Sequence, residues 1–266
     1  MKARKDRRGV AAGLIPDWLD DLFLKSVIPV IRELTLARVN PNWLTVIAFL
    51  VTVAAAAVVL LDHLVAAAVL VIVGGILDFA DGKVAALTGR VTSFGGVLDS
   101  TLDRYSDAAL FVALVVHFAA RGHYLVALAA IAALFGATMT SYLAALGLAH
   151  GHDLRVGILR RQDRVALIAA GLLFTFAHEP LAAWTSRLAP AVGLAPEPVP
   201  VMPLALAVVL LALLGNVTAV QRLAALLVAA RAADSGAQIE SRSADSGLSL
   251  KEKQMKTLNR RIGESR

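Results

Sequence analysis

At 266 residues, 58% of them hydrophobic and 17% charged, with a mean hydropathy of +0.71, the chain lies outside the composition of ordinary water-soluble domains and reads as a polytopic membrane protein. Its formal net charge of +6 comes mainly from the termini and two loops, which favours anionic lipid headgroups as partners and gives a nucleic-acid reading no support. With no cysteine, disulfides, thiolate metal sites and a cysteine nucleophile are excluded.

The basic segment Met1 to Arg8 is not followed by an apolar run with a cleavage site at signal-peptide distance, so the N-terminus is expected to be retained. From Pro16 to Val39, Trp18, Leu19, Leu22, Phe23, Val27 and Ile28 are mixed with Asp17, Asp20, Asp21, Lys25 and Arg32, as in an amphipathic helix lying along the membrane interface. Apolar runs able to cross about 30 Å of hydrocarbon follow at 43–61, 64–80, 96–120, 124–149, 164–186 and 201–229. Breaks fall at Asp62-His63, Asp81 to Gly95, Arg121-Gly122-His123, His150 to Arg164 and Pro190 to Pro203. The expected fold is all-α: six transmembrane helices preceded by an interfacial amphipathic helix. The chain then divides into a cytoplasmic N-terminus with the interfacial helix (1–38), a six-helix domain (39–232) and a polar cytoplasmic tail (233–266), solvated or partly disordered.

Basic residues gather before the first run, at Lys83 and Arg90, at Arg155, Arg160, Arg161 and Arg164, and at Arg231. The alternate loops hold chiefly Arg121 and Arg187. With six spans every rich segment falls on one side, so both termini and the segment after span two are expected in the cytoplasm, with the cell membrane as the location.

Four aspartates interrupt this apolar chain: Asp78 and Asp81, three residues apart, and Asp99 and Asp103, four apart. On helices each pair projects from one face. Carboxylates at a membrane are costly unless paired or metal-bound, so the two faces are expected to form a four-carboxylate cage. Carboxylate-only ligands suit Mg²⁺ or Mn²⁺, and four of them could hold two ions that clamp a transferring phosphoryl group. Gly82, Gly95 and Gly96 would let backbone approach a ligand, or serve as turn and packing glycines.

The pattern Asp-x-x-Asp-Gly-x-x-Ala-Arg, eight residues, Gly-x-x-x-Asp-x-x-x-Asp resembles the mark of the CDP-alcohol phosphotransferases. Here it is met by Asp78, Asp81, Gly82, Ala85, Gly95, Asp99 and Asp103, while the arginine after Ala85 is replaced by Ala86. Asn40 to Thr45 is similar to the start of the family's first span, and Val156 to Arg164 to its loop between spans four and five; together the likeness covers about residues 38–232. It implies six helices around a cytoplasm-facing cavity, often in a homodimer, and transfer of a phosphatidyl group from CDP-diacylglycerol to an acceptor alcohol with release of CMP. Asp78, Asp81 and Asp99 would hold metal against the diphosphate. Asp103 would be a further ligand and the general base for the acceptor hydroxyl. Gly82, Ala85, Asp81 and Thr45 would border the nucleotide, Thr45 having the alternative of a plain helix-entry threonine.

Arg161 and Arg164 are candidates for a phosphate on the acceptor, against the alternative of a basic loop that merely obeys the topology rule. Lys83 or Arg90 is a candidate to replace the charge missing at Ala86, and Asp107 is expected to pair with Arg104. The histidines lie at no ligand spacing to the cluster. Relatives that use a phosphorylated polyol commonly carry basic residues after the tyrosine matching Tyr142, where this chain has Leu143, Ala144, Ala145 and Leu146. Two alternatives to a working transferase remain at this point: a weakened relative that binds CDP-lipid and metal, and a cation-coupled transporter.

Overall fold

The computed structural model describes residues 17–153, 156–177 and 202–263. Every regular element among them is helical. Helix α1 spans Asp17–Leu36 with Pro29 inside it, α2 Pro41–Leu60, α3 Leu64–Thr88, α4 Ser93–Ala119, α5 Tyr124–Ala149, α6 Arg161–Leu173 with a 3₁₀ turn Phe174–Ala177 after it, and α7 Met202–Gly263. Four segments, α2, α3, α5 and Met202–Ser235 of α7, are long and apolar enough to cross a membrane. The third expected span, α4, is helical but carries Asp99, Asp103, Arg104 and Asp107 within its first fifteen residues. The fifth begins three residues early, at Arg161, and its second half lies outside the described residues, as do Pro190 to Pro200 and the first sixteen residues.

Helix ends follow local chemistry. Asn40 caps α2 by accepting the Asn42 N–H at 3.1 Å, with Pro41 in the first turn where its missing donor costs nothing. Thr92 caps α4 by accepting the Gly95 N–H at 3.0 Å. Gly89 ends α3 in the left-handed region at φ 68°, where glycine carries no side-chain penalty. This stop comes later than the acidic motif. The break expected from Asp81 to Gly95 is a short turn after Thr88, and Asp78 and Asp81 lie inside a continuous helix because Lys83 to Leu87 are competent helix formers. The polar stretch expected as a solvated or partly disordered tail likewise continues α7 as helix to Gly263.

Ala55, Val59, Ala67, Val71, Phe111, Leu114, Phe118, Ala130, Leu172, Leu204 and Leu211 form the main core, all 3% exposed or less. Small residues set how closely the helices approach. A Cβ on Gly136 of α5 would stand 2.9 Å from the backbone N of Asn216 on α7, and one on Gly74 of α3 would stand 2.7 Å from Thr52 Oγ1 on α2. Without a side chain at either position the helices touch through backbone, the way membrane helices gain van der Waals contact where lipid supplies no hydrophobic drive. Large apolar side chains such as Trp43, Leu125, Phe135 and Leu206 point outward. That pattern suits a lipid surround rather than water.

On α1, Val27 and Ile31 lie one turn apart and pack with Leu44, Ala80 and Val84. The first helix therefore backs the acidic half of α3. Helix α2 packs against both α3 and α4, and α6 against α3, whereas α3 and α4 approach each other sparsely. Functional side chains from α3 and α4 fill the space between them.

Candidate active site

Helices α3 and α4 form a hairpin around the Gly89 turn. Asp78 lies ten residues before the end of α3 and Asp103 ten residues after the start of α4, each about 15 Å along its helix. Equal distances from the turn bring the two carboxylates to the same level. Oxygens of Asp78, Asp99 and Asp103 lie within 4.8 Å of one another, the one such acidic group found among the described residues. The cage is thus made of three carboxylates rather than four.

Asp81, the fourth, turns toward α2. It is 5% exposed, and Thr45 Oγ1 lies 2.5 Å from its Oδ2 and 3.1 Å from the Pro41 carbonyl. Thr45, itself 6% exposed, therefore meets Asp81 rather than an open nucleotide site. A burial of this kind satisfies one lone pair of a carboxylate and fixes its rotamer. Gly82 is exposed and a Cβ there would meet nothing within 4 Å, while Ala85 is half-buried, so this turn of α3 presents bare backbone to open space.

Arg161 is the counter-charge. Its Nη1 lies 2.5 Å from Asp78 Oδ2 and its Nη2 2.7 Å from Asp103 Oδ1, so one planar guanidinium bridges two helices. Asp107 pairs with Arg164 at 2.9 Å, not with Arg104, whose guanidinium turns back to the Ser100 carbonyl. The expected Arg104 pair fails because Asp107, one turn beyond Asp103, faces α6, where the 4% exposed Arg164 needs a partner. Arg161, Arg164, Asp78, Ser106, Asp107 and Thr52 line a cavity of about 40 Å³ that runs inward from the carboxylates. Neither candidate for the missing positive charge reaches the cluster: Lys83 Nζ lies 5.3 Å over the Phe79 ring, and Arg90 donates to the Arg38 carbonyl at 3.3 Å.

The loop before Arg161 is held from α5 and α7. Arg222 on α7 donates from Nε to the Val156 carbonyl at 3.0 Å and from Nη1 to the Thr140 carbonyl at 2.8 Å, and Thr218 Oγ1 accepts the Leu159 N–H at 3.1 Å. Asp163 accepts the Arg160 N–H at 2.8 Å and closes the first turn of α6. These anchors escaped the spacing argument. Arg222 nevertheless carried a signal, as a lone charge inside an apolar run.

The sequence pattern of the family described as "CDP-alcohol phosphatidyltransferase" matches residues 38–230. The chain belongs to that family. It is a transferase of phospholipid biosynthesis and an integral membrane protein, which sets aside the transporter reading. The transferase is 36% identical over 144 residues to the archaetidylinositol phosphate synthase of Pyrococcus horikoshii, covering 54% of this chain and 74% of that one. It is 35% identical over 151 residues to the phosphatidylinositol phosphate synthase of Corynebacterium glutamicum, covering 55% and 68%. Among solved structures, the phosphatidylinositol phosphate synthase of Mycobacterium tuberculosis with CDP-DAG bound matches at TM-score 0.60 and 27% identity, covering 75% of this chain and 92% of that one. The same enzyme in complex with manganese and citrate matches at 0.60 and 26%, covering 76% and 88%.

Proposed function

We propose that the transferase moves a phosphatidyl group from CDP-diacylglycerol to the hydroxyl of a phosphorylated polyol, with inositol phosphate ahead of glycerol phosphate, and releases CMP. The observation that carries this reading is the convergence of Asp78, Asp99 and Asp103 beside Arg161. Three all-oxygen ligands of this kind fit Mg²⁺ or Mn²⁺, one or two ions, and no softer metal. When bound there, the cation neutralises charge on the diphosphate and on the departing CMP.

The remaining chemistry belongs to the chain. Asp103 takes the proton of the acceptor hydroxyl on a carboxylate oxygen. The hydroxyl oxygen bonds to the phosphorus nearer the lipid, and the bridging P–O bond breaks with its electron pair leaving on CMP. Gly82 and Ala85 leave room for the nucleotide against α3, and Asp81, oriented by Thr45, borders it. Arg161 offers its guanidinium to the acceptor phosphate along the adjoining cavity, while Arg164, the other candidate, lines that cavity and stays paired with Asp107. The names of the relatives support inositol phosphate as the acceptor; the apolar Leu143 to Leu146 segment argues that any phosphate site depends on α6.

The same reading takes six spans with α1 at the interface, both termini and the carboxylates on the cytoplasmic side of the cell membrane, a homodimer, and the division 1–38, 39–232 and 233–266. Purified protein given CDP-diacylglycerol with Mg²⁺ or Mn²⁺ is expected to release CMP with one member of a panel of inositol phosphate, glycerol phosphate, inositol and serine. Metal-dependent release with none of them, while CDP-lipid still binds, would refute it.

A second reading, a weakened enzyme that holds CDP-lipid without efficient turnover, is favoured by one observation: Ala86 is exposed and neither Lys83 nor Arg90 substitutes for the family arginine. Ala86→Arg separates the two. A large gain in CMP release supports the weakened site, and no gain supports a site rebuilt around other residues.

A further inference from the structure

Arg161 and Arg164 stand three residues apart on α6, yet their surroundings differ. Arg164 has a side chain 5% exposed and an aspartate, Asp107, that lies outside the three-carboxylate group. Arg161 has a side chain 30% exposed and both of its partners inside that group. The Nε of each arginine finds no acceptor among the described residues, so the difference between them lies in exposure and in which carboxylates they hold. The Arg161 guanidinium thus occupies the very oxygens that a divalent ion would need.

A hard cation among Asp78, Asp99 and Asp103 would bind at about 2.0–2.6 Å from carboxylate oxygens, the same oxygens that the Arg161 nitrogens hold at 2.5 and 2.7 Å. Like charges so close repel strongly in a partly dry site, and the carboxylates gain more from a double charge than from a single one. Being the first residue of α6 and partly exposed, Arg161 can leave by side-chain rotation alone. Arg164, enclosed and already paired, cannot.

We propose that Arg161 is a built-in competitor for the cation site: it bridges Asp78 and Asp103 until a divalent cation displaces it, and the released guanidinium then takes the anionic group of the acceptor. Cation binding comes first and acceptor binding second, and each tightens the other, because a coupling of this kind is reciprocal. The proposal rests on the metal reading above and adds to it an order and a thermodynamic link.

The test is the dissociation constant of Mn²⁺ for the full chain in lipid nanodiscs, read by paramagnetic resonance of free Mn²⁺, with and without inorganic phosphate as the anion. Arg161→Gln is expected to bind Mn²⁺ about tenfold tighter than wild type without phosphate, and Arg161→Lys to fall between. Phosphate is expected to tighten Mn²⁺ binding several-fold in wild type, a measurement that needs no variant, and to leave Arg161→Gln unchanged. Equal or weaker binding by Arg161→Gln, or the same phosphate effect in both proteins, overturns the proposal. Asp99→Asn separates this failure from a deeper one, since Asp99 belongs to the group but is not bridged by Arg161. If Asp99→Asn weakens Mn²⁺ binding while Arg161→Gln fails to tighten it, the competition alone is wrong; if Asp99→Asn binds as well as wild type, the metal site falls and the proposal with it.

Discussion

The two ends of the helix bundle carry opposite charge economies. Beyond α2 and before α3, Asp62 pairs with Arg121 at 2.6 Å, and Arg121 also donates to the carbonyl of His117, whose ring is buried 3.7 Å from the same aspartate. One carboxylate there meets one guanidinium across a turn, with the buried His117 ring beside them. About 27 Å away along α4, if Arg121 and Asp103 are taken as markers, three carboxylates converge and one guanidinium bridges two of them. A balanced pair fastens two loops, whereas an acidic surplus kept in an apolar bundle fits the cation site proposed above. Charge bookkeeping, more than the mere presence of charge, separates the working end from the fastened one.

The sharpest way to break that contrast is to remove the base at the acidic end. Asp103→Asn is expected to lower CMP release by about 10²–10⁴-fold, and chelation of divalent ions to abolish it reversibly, both read in the same assay. Next in size is Arg222→Ala, which strips two charge-assisted bonds from the carbonyls of Val156 and Thr140. It should cost about 3 kcal/mol in thermal unfolding and raise the acceptor KM, since the loop that presents Arg161 loses its anchor. Gly136→Val forces α5 off α7, because the obstacle is the Asn216 backbone rather than a movable side chain. A loss of about 1–3 kcal/mol is expected. The smallest effect belongs to the balanced end: Asp62→Asn, at a pair 35% and 58% exposed, should cost no more than about 1 kcal/mol and leave CMP release unchanged. A collapse of activity in that variant would show that the two ends are not separate in function.

Much of this was legible before any coordinates. Hydropathy located α2, α3, α5 and the apolar half of α7, because a bilayer requires long apolar segments whose backbone groups are satisfied internally. Spacing located Asp78, Asp99 and Asp103, because both aspartate pairs follow the helical repeat. The end of α3 was misjudged, since hydropathy falls at Asp81 while helix propensity persists to Thr88. Partner choice was the least legible. Nothing local distinguishes Asp107 beside Arg104 from Asp107 beside Arg164, and which pair forms depends on the distant packing of α6. Thr45 reaching Asp81 across 36 residues, and Arg222 holding a loop 66 residues away, are tertiary facts of the same kind.

The depth of the carboxylates has a consequence for the lipid. Asp78 and Asp103 sit about 15 Å inside their helix ends, next to the apolar stretch of α3 that begins at Leu64. On the proposed reading, a two-tailed donor would meet them from the leaflet with its acyl chains still among other lipids. Hauling such a molecule into water would cost about 0.8 kcal/mol for every methylene exposed, more than any headgroup contact could return. On that reading, the placement of Asp78 and Asp103 away from the helix ends spares the reaction that lift.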